Sequence, residues 1–528
     1  MHSRIADLVL VNGNIITMNP KQMKAKAVAI KGDKFLAIGG NREVLDLADG
    51  NTRKIDLKGK TVLPGLIDSH VHGLALGEGL SQIDLRDVKS IEEIQKRIKG
   101  WVQKTEKGEW IIGRGWDQDK LLENRFPLRS DLDCVAPNHP VLIRRVCGHL
   151  GVVNSQAMRL AGIDKNTEPP QGGVIDRESA NGEPNGILRE TSLHLVSRIL
   201  PKLSEEKLMK FSHLACQRMV ERGLTTVHWI ISRSHSTSEI RALQELDRQN
   251  KLPIRIYAIM PVEHLDRFLK LSFSGSNSGM LKLGGIKILA DGSLGARTAA
   301  LQEPYTDAPT NKGILLYSRN QLRTLVEKIV QEGLQLVIHA IGDRTVETVL
   351  EVLKKALPEH PETSHRHRIE HVSVLNPELL KKMKKIGIIA SVQPHFAVSD
   401  TWILKRLGKA RARWTYVLRS LFDEGIKVIG GSDAPVEPVS PINGIHAAVA
   451  REAFPEECLT LDQALRIYTI DAAYGSFEEN LKGSIEASKL ADLIVVSQDP
   501  FRVAPNRIKE VTVETTIVGG QIVYPQKA

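Results

Sequence analysis

Between residues 61 and 435 the chain repeats one pattern, in which an apolar run of strand length closes in a polar cluster and an amphipathic stretch of helical period follows. Eight such runs can be counted: "TVLPGLIDSHVH", "LTTVHWI", "PIRIYAIM", "GGIKILADG", "LQLVIHAIG", "HRIEHV", "GIIASVQP" and "KVIGGSDAP". Runs without polar alternation suit parallel strands covered on both faces by crossover helices. Most are preceded by stretches such as "SRNQLRTLVEKIVQEG" or "NPELLKKMKKIG", with Gly where the helix should stop. Eight βα units predict an α/β fold, a closed (β/α)8 TIM barrel, which takes about 250 residues.

The chain has 528 residues, so other elements must surround the barrel. Both ends have the texture of short strands and tight turns, as in "ADLVLVNGNIITM" and "KAVAIKGDKFLAIGG" at one end and "KLADLIVVSQDP", "VTVETTIVGG" and "QIVY" at the other. Residues 1–60 and 485–528 are therefore expected to form one small β-sandwich domain. The first barrel run ends near His72 and the second begins near Leu224, too far apart for one helix. The barrel is thus assigned to 61–74 and 206–484, with 75–205 inserted as a cap over its mouth. That insertion carries "GRGWDQDK" and the Pro/Gly-rich "EPPQGGVIDRESANGEPNG".

Charge and cysteine content narrow the function classes. The 72 basic and 62 acidic residues give a net charge of +10, but the excess is dispersed in runs such as "KKMKK" and no nucleic-acid recognition motif accompanies it. The four cysteines, Cys134, Cys147, Cys216 and Cys458, lack C-x-x-C spacing, which argues against a disulfide framework or a thiolate zinc site and fits a reducing cytoplasm. Asp7 and Asn12 interrupt the N-terminal apolar run, and no stretch reaches the roughly 18 apolar residues of a membrane span. A soluble, cytoplasmic protein is expected, with no nucleic-acid or membrane partner. A homo-oligomer is left open.

In a β/α barrel the active site lies at the C-terminal ends of the strands. The first strand ends in His70 and His72, whose i, i+2 spacing puts both imidazoles on one side. The fourth carries Lys287, the fifth ends at His339, the sixth at His371 and the eighth at Asp433. Each alone has a bland explanation as a hydrogen-bonded core residue or a turn cap, but their coincidence at one rim does not. Nitrogen and oxygen ligands on separate strands can hold zinc or a similar divalent ion and keep a position open for water.

"PGLIDSHVH", "GGIKILADGSLGARTA", "VIHAIGDRT", "RIEHV", "ASVQP", "GSDAP" and "GSIEASKLADLIVV", in this order, make the chain resemble the amidohydrolase superfamily over nearly its full length. "DGSLGARTA" and "HAIGDRT" point to its N-substituted formamide deformylase-like, or YtcJ-like, branch (amidohydrolase family 3). The resemblance implies that His70, His72 and Asp433 hold one metal and His339 and His371 a second, one or two zinc ions in all. Lys287 would bridge them after its amine captures carbon dioxide as a carbamate (N6-carboxylysine), whose oxygens suit ions about 3.5–4 Å apart. Asp433 is then the expected general base, taking a proton from water and passing it to the leaving amine.

His228, at the end of the second strand, is expected to support a ligand or face substrate, and Asp291 either to orient a ligand or to shape its turn. For Trp116, Asp117, Arg144 and His149 in the insertion, and for Gln393 and His395 after the seventh strand, pocket-lining and structural roles carry equal weight. The expected activity is metal-dependent hydrolysis of a non-peptide C–N bond in a small amide, such as an N-substituted formamide. Cyclic-amide hydrolysis and deamination are alternatives within the same barrel, and a catalytically silent scaffold is the alternative of another class. Phosphate-binding G-x-x-x-x-G-K-[ST] and nucleophile-elbow G-x-S-x-G sequences are both absent.

Overall fold

The computed structural model describes residues 5–145, 150–170, 173–201, 203–270, 279–357 and 365–525. The chain divides into two compact units, Met1–Leu76 with Leu208–Ala528, and Gly77–Lys207.

The first unit contains the barrel. Its strands are β1 (Leu66–Val71), β2 (Leu224–Ile230), β3 (Arg255–Pro261), β4 (Leu281–Leu289), β5 (Gln335–Ala340), β6 (Arg368–His371), β7 (Ile389–Val392) and β8 (Val428–Gly430). They lie side by side in sequence order, every pairing parallel. A parallel bridge between Val71 and Ala434 joins the first strand to the segment leaving the last. Two backbone hydrogen bonds seal this seam, from Asp433 N–H to the His70 carbonyl (2.7 Å) and from His72 N–H to the Ala434 carbonyl (2.8 Å). Closure therefore places His70, His72 and Asp433 together.

Local sequence explains the helices that return the chain. Ser318 caps Arg319–Gln331 in a reciprocal capping box with Gln321. Asn376 caps Pro377–Ile386, and Gly387 ends that helix in the left-handed conformation at φ 77°, just before β7.

The run from Thr61 to His72, expected as one barrel strand, is two strands. Thr61–Pro64 pairs antiparallel with Leu493–Val496 in the terminal domain, and only Leu66–Val71 enters the barrel. Beyond Pro64, Gly65 N–H still donates to the Asp492 carbonyl at 3.0 Å. Gly65 makes the turn where a Cβ would strike the Thr225 side chain. The terminal domain is a four-stranded and a six-stranded sheet, the latter built from both ends of the chain. Leu10, Ile15, Val28 and Phe35 from one end share a core with Leu493, Val495 and Ile517 from the other.

The second unit is built on a six-stranded mixed sheet with a core that includes Ile94, Ile98, Trp116, Leu132 and Ile143. No helix among the described residues is long and apolar enough to cross a membrane.

Candidate metal centre

The polar residues that close the barrel strands meet as one cluster. His70 Nε2 and His72 Nε2 approach Asp433 Oδ1 at 3.4 and 3.1 Å. Lys287 Nζ lies 3.4 Å from His70 Nε2. The His371 ring centroid is 5.1 Å from that of His70 and 4.5 Å from that of His339. Two of these residues have left-handed backbones, His371 at φ 74° and Asp433 at φ 57°. Such conformations cost about 1–3 kcal/mol each and persist where surrounding contacts enforce them, often at active sites. Here the seam bond from Asp433 to His70 is one such contact.

The neighbours of each ring decide which nitrogen is free. His70 Nδ1 makes a short hydrogen bond to Glu370 Oε2, leaving Nε2 for the cluster. His371 Nδ1 bonds Gln393 Oε1 at 2.6 Å, so Gln393 holds a candidate ligand. His339 Nε2 faces the Gly292 carbonyl at 3.0 Å and Asp291 Oδ1 at 3.3 Å. The oxygens of Asp291 also accept the N–H groups of Ala300, Ile341 and Gly342 and the hydroxyl of Thr345, at 2.8–3.1 Å. Asp291 thus ties the loop after β4 to the one after β5 and steadies His339.

Electrostatics favours neutral imidazoles beside an ionised carboxylate. Burial, reinforced by the Lys287 charge, lowers His70 to about 4. Burial, with His339 nearby, puts His371 well below the ordinary histidine range. Burial raises Asp433, but the imidazole of His70 and the hydrogen bond from His72 outweigh it and hold the carboxyl below its usual range. Burial is also the main cause that lowers Lys287 to about 8, which gives its amine a neutral fraction. This donor set fits a divalent ion. Among the described residues, His70, His72 and Asp433 are the group whose ligand atoms all lie within 4.8 Å of one another. Neutral imidazole nitrogens and a carboxylate oxygen are the donors zinc takes in catalytic sites.

The other predicted residues have separate places. His228 is buried and accepts a hydrogen bond from Arg368 Nη1 at 2.7 Å. His395 pairs with Glu437, Nδ1 to Oε2, at 2.5 Å. Within the inserted unit Trp116 is wholly buried in that unit's core, edge-on to Phe126. Asp117 accepts from Arg145 at 2.7 Å, and Arg144 donates to Ser197 at 3.2 Å. His149 lies outside the described residues.

Sequence reasoning missed Asp68, Arg368, Glu370 and Ser391. Asp68 Oδ1 accepts the N–H of His70 (3.0 Å) and of Ser432 (2.9 Å), pinning β1 to the segment that carries Asp433, and burial raises its carboxyl to about 6. A signal for Arg368 and Glu370 was present in "RIEHV", where opposite charges two residues apart on a buried strand must share a face and pair.

Comparison with known proteins agrees with this geometry. The model of the amidohydrolase family Amidohydro_3 matches residues 53–524. The protein YtcJ of Bacillus subtilis is 34% identical, over 97% of this chain and 98% of its own. The N-substituted formamide deformylase of Arthrobacter pascens is 27% identical, over 99% of both chains. A crystal structure of a metal-dependent hydrolase from Pyrococcus furiosus superposes with a TM-score of 0.79 at 34% identity, covering 94% of this chain and 100% of that one.

Proposed function

The chain belongs to the amidohydrolase family, and from that membership and the ligand cluster we propose that it hydrolyses a non-peptide C–N bond of a small amide, with N-substituted formamides as the first class to test. The observation that carries this reading is the convergence of His70, His72 and Asp433, with Lys287 Nζ 3.4 Å from His70. The full-length likeness to a formamide deformylase supports the substrate class.

His70, His72 and Asp433 would hold one ion, and His339 and His371 a second. A divalent ion, zinc being the expected one, supplies Lewis acidity that makes water a stronger acid and a carbonyl carbon a better electrophile. Lys287 contributes a buried amine that is partly neutral. Were its nitrogen to add to carbon dioxide, with release of one proton, the resulting carbamate would supply two oxygens that share one negative charge as further donors. Asp433, ionised and lodged between the imidazoles of His70 and His72, takes a proton from the attacking water. The hydroxyl joins the carbonyl carbon, the C–N bond breaks, and Asp433 returns the proton to the leaving nitrogen. A formamide would yield formate and an amine.

Metal analysis of the purified protein, paired with hydrolysis of N-substituted formamides, longer N-acyl amines, cyclic amides and aminated heterocycles, tests the proposal. The expected result is bound divalent metal, with formamides turned over fastest. Turnover of cyclic amides or heterocycles alone would replace the substrate class. Inactivity of the metal-loaded protein on the whole panel would remove the catalytic reading.

A further inference from the structure

Beneath the ligand cluster the barrel interior holds a buried ionic chain that the hydrolytic reading leaves unused. Arg368 and Glu370 project from β6, both wholly buried. Arg368 Nε donates to Glu370 Oε1 at 2.6 Å, Nη2 to the carbonyl of Ser69 at 2.6 Å, and Nη1 to His228 Nδ1 at 2.7 Å. The other oxygen of Glu370 accepts from His70 Nδ1 and from the Ser391 hydroxyl at 2.9 Å. One network thus joins β1, β2, β6 and β7, running from His70 through Glu370 and Arg368 to His228. At its far end His228 packs on Tyr257 beside Ile230, Ile259 and Val337.

Packing alone does not account for it. Removing two charges from water is costly, and well-packed apolar side chains often serve stability as well or better. An apolar pair could not keep the proton of His70 on Nδ1, nor hold the strand backbone one residue before that ring. The candidate ligands also differ in their supports. His70 has a carboxylate, His371 the neutral amide of Gln393, and His339 a backbone carbonyl. An anionic acceptor raises the basicity of an imidazole ligand more than a neutral one does.

We propose that Glu370, Arg368 and His228 are positioning residues that act in series on His70 and set the metal affinity of the His70, His72 and Asp433 group. Because a guanidinium only donates, His228 must serve as an acceptor at Nδ1, with its own proton on Nε2. The side chain that ends the chain therefore acts on the ring nitrogen of His70 through Arg368 and Glu370. This proposal rests on the reading of the cluster as a metal centre.

The test titrates metal-free protein with Co2+, following its visible absorption, in wild type, H70A, E370Q, H228L, H228N and the double variant E370Q/H228L. Melting curves of the metal-free proteins establish that each is folded. E370Q should weaken Co2+ binding by about 10–100-fold and shift the absorption bands. H228L should weaken it by at least about threefold. H228N, whose Oδ1 can replace the lost acceptor, should bind within about twofold of wild type. In series, the double variant should bind no more weakly than E370Q alone. H228L and H228N leave the ion pair in place and decide the question even if E370Q does not fold. Unchanged affinity in H228L, equal loss in H228L and H228N, or additive losses in the double variant would overturn the relay. Undiminished Co2+ binding by H70A would instead overturn the metal-centre reading beneath it.

Discussion

Lys287 is the residue whose chemistry most depends on its surroundings. An ammonium placed among cations would be repelled, whereas a carbamate offsets their charge. K287A should therefore lose bound metal and activity together, and a short carboxylic acid supplied with metal should restore part of both. Metal content measured with and without the acid checks this, and metal retained in full by K287A would show that the lysine is no ligand. At this scale the site was partly legible in the sequence. His70, His72, His339, His371 and Asp433 stand out because each closes one of the eight strand-length runs. Gln393 was named only as pocket-lining or structural, since only the folded barrel brings an amide on the exit of β7 to a histidine that closes β6. Trp116 was ambiguous for another reason. A tryptophan in an insertion reads alike whether it meets a ligand or a core, and here it meets a core.

The segment that carries His70 and His72 is supported by the neighbouring strand β2. The Trp229 side chain of β2 lies where any Cβ on Gly73 would be, so the residue after His72 must be glycine. Trp229 Nε1 in turn donates to Glu239 Oε1 at 2.6 Å, and Ser232 N–H donates to the other oxygen at 2.7 Å. Burial raises Glu239 from 4.5 to about 7. Between those values the folded chain keeps the proton and the unfolded chain releases it, so this group's contribution falls as pH rises through that window. E239Q, which cannot ionise, should show a shallower decline in unfolding free energy from about pH 4.5 to about pH 7. Denaturant unfolding at several pH values measures the slope, and equal slopes in both proteins would contradict the assignment. Periodicity predicted the strands well, because apolar runs and helix caps are local signals. The division of Thr61–His72 at Pro64 and Gly65 was hidden because both halves are strands buried along their length, one in each sheet.

At the scale of the molecule, both chain ends complete one small β domain, and the barrel's seam places residues 363 positions apart in sequence, His70 and Asp433, in contact. The shared terminal domain was legible because its two halves have the same strand-and-turn texture. The buried link from β1 to β6 was not, since no local pattern states which charges face each other across a barrel. The central claim is that the seam forms a metal centre on which hydrolysis depends. Anomalous X-ray diffraction at the zinc edge, from crystals of zinc-loaded protein shown to be active, tests it most directly. The account predicts a strong peak coordinated by His70 Nε2, His72 Nε2 and Asp433. A peak confined to other residues, or none in an active crystal, would contradict it.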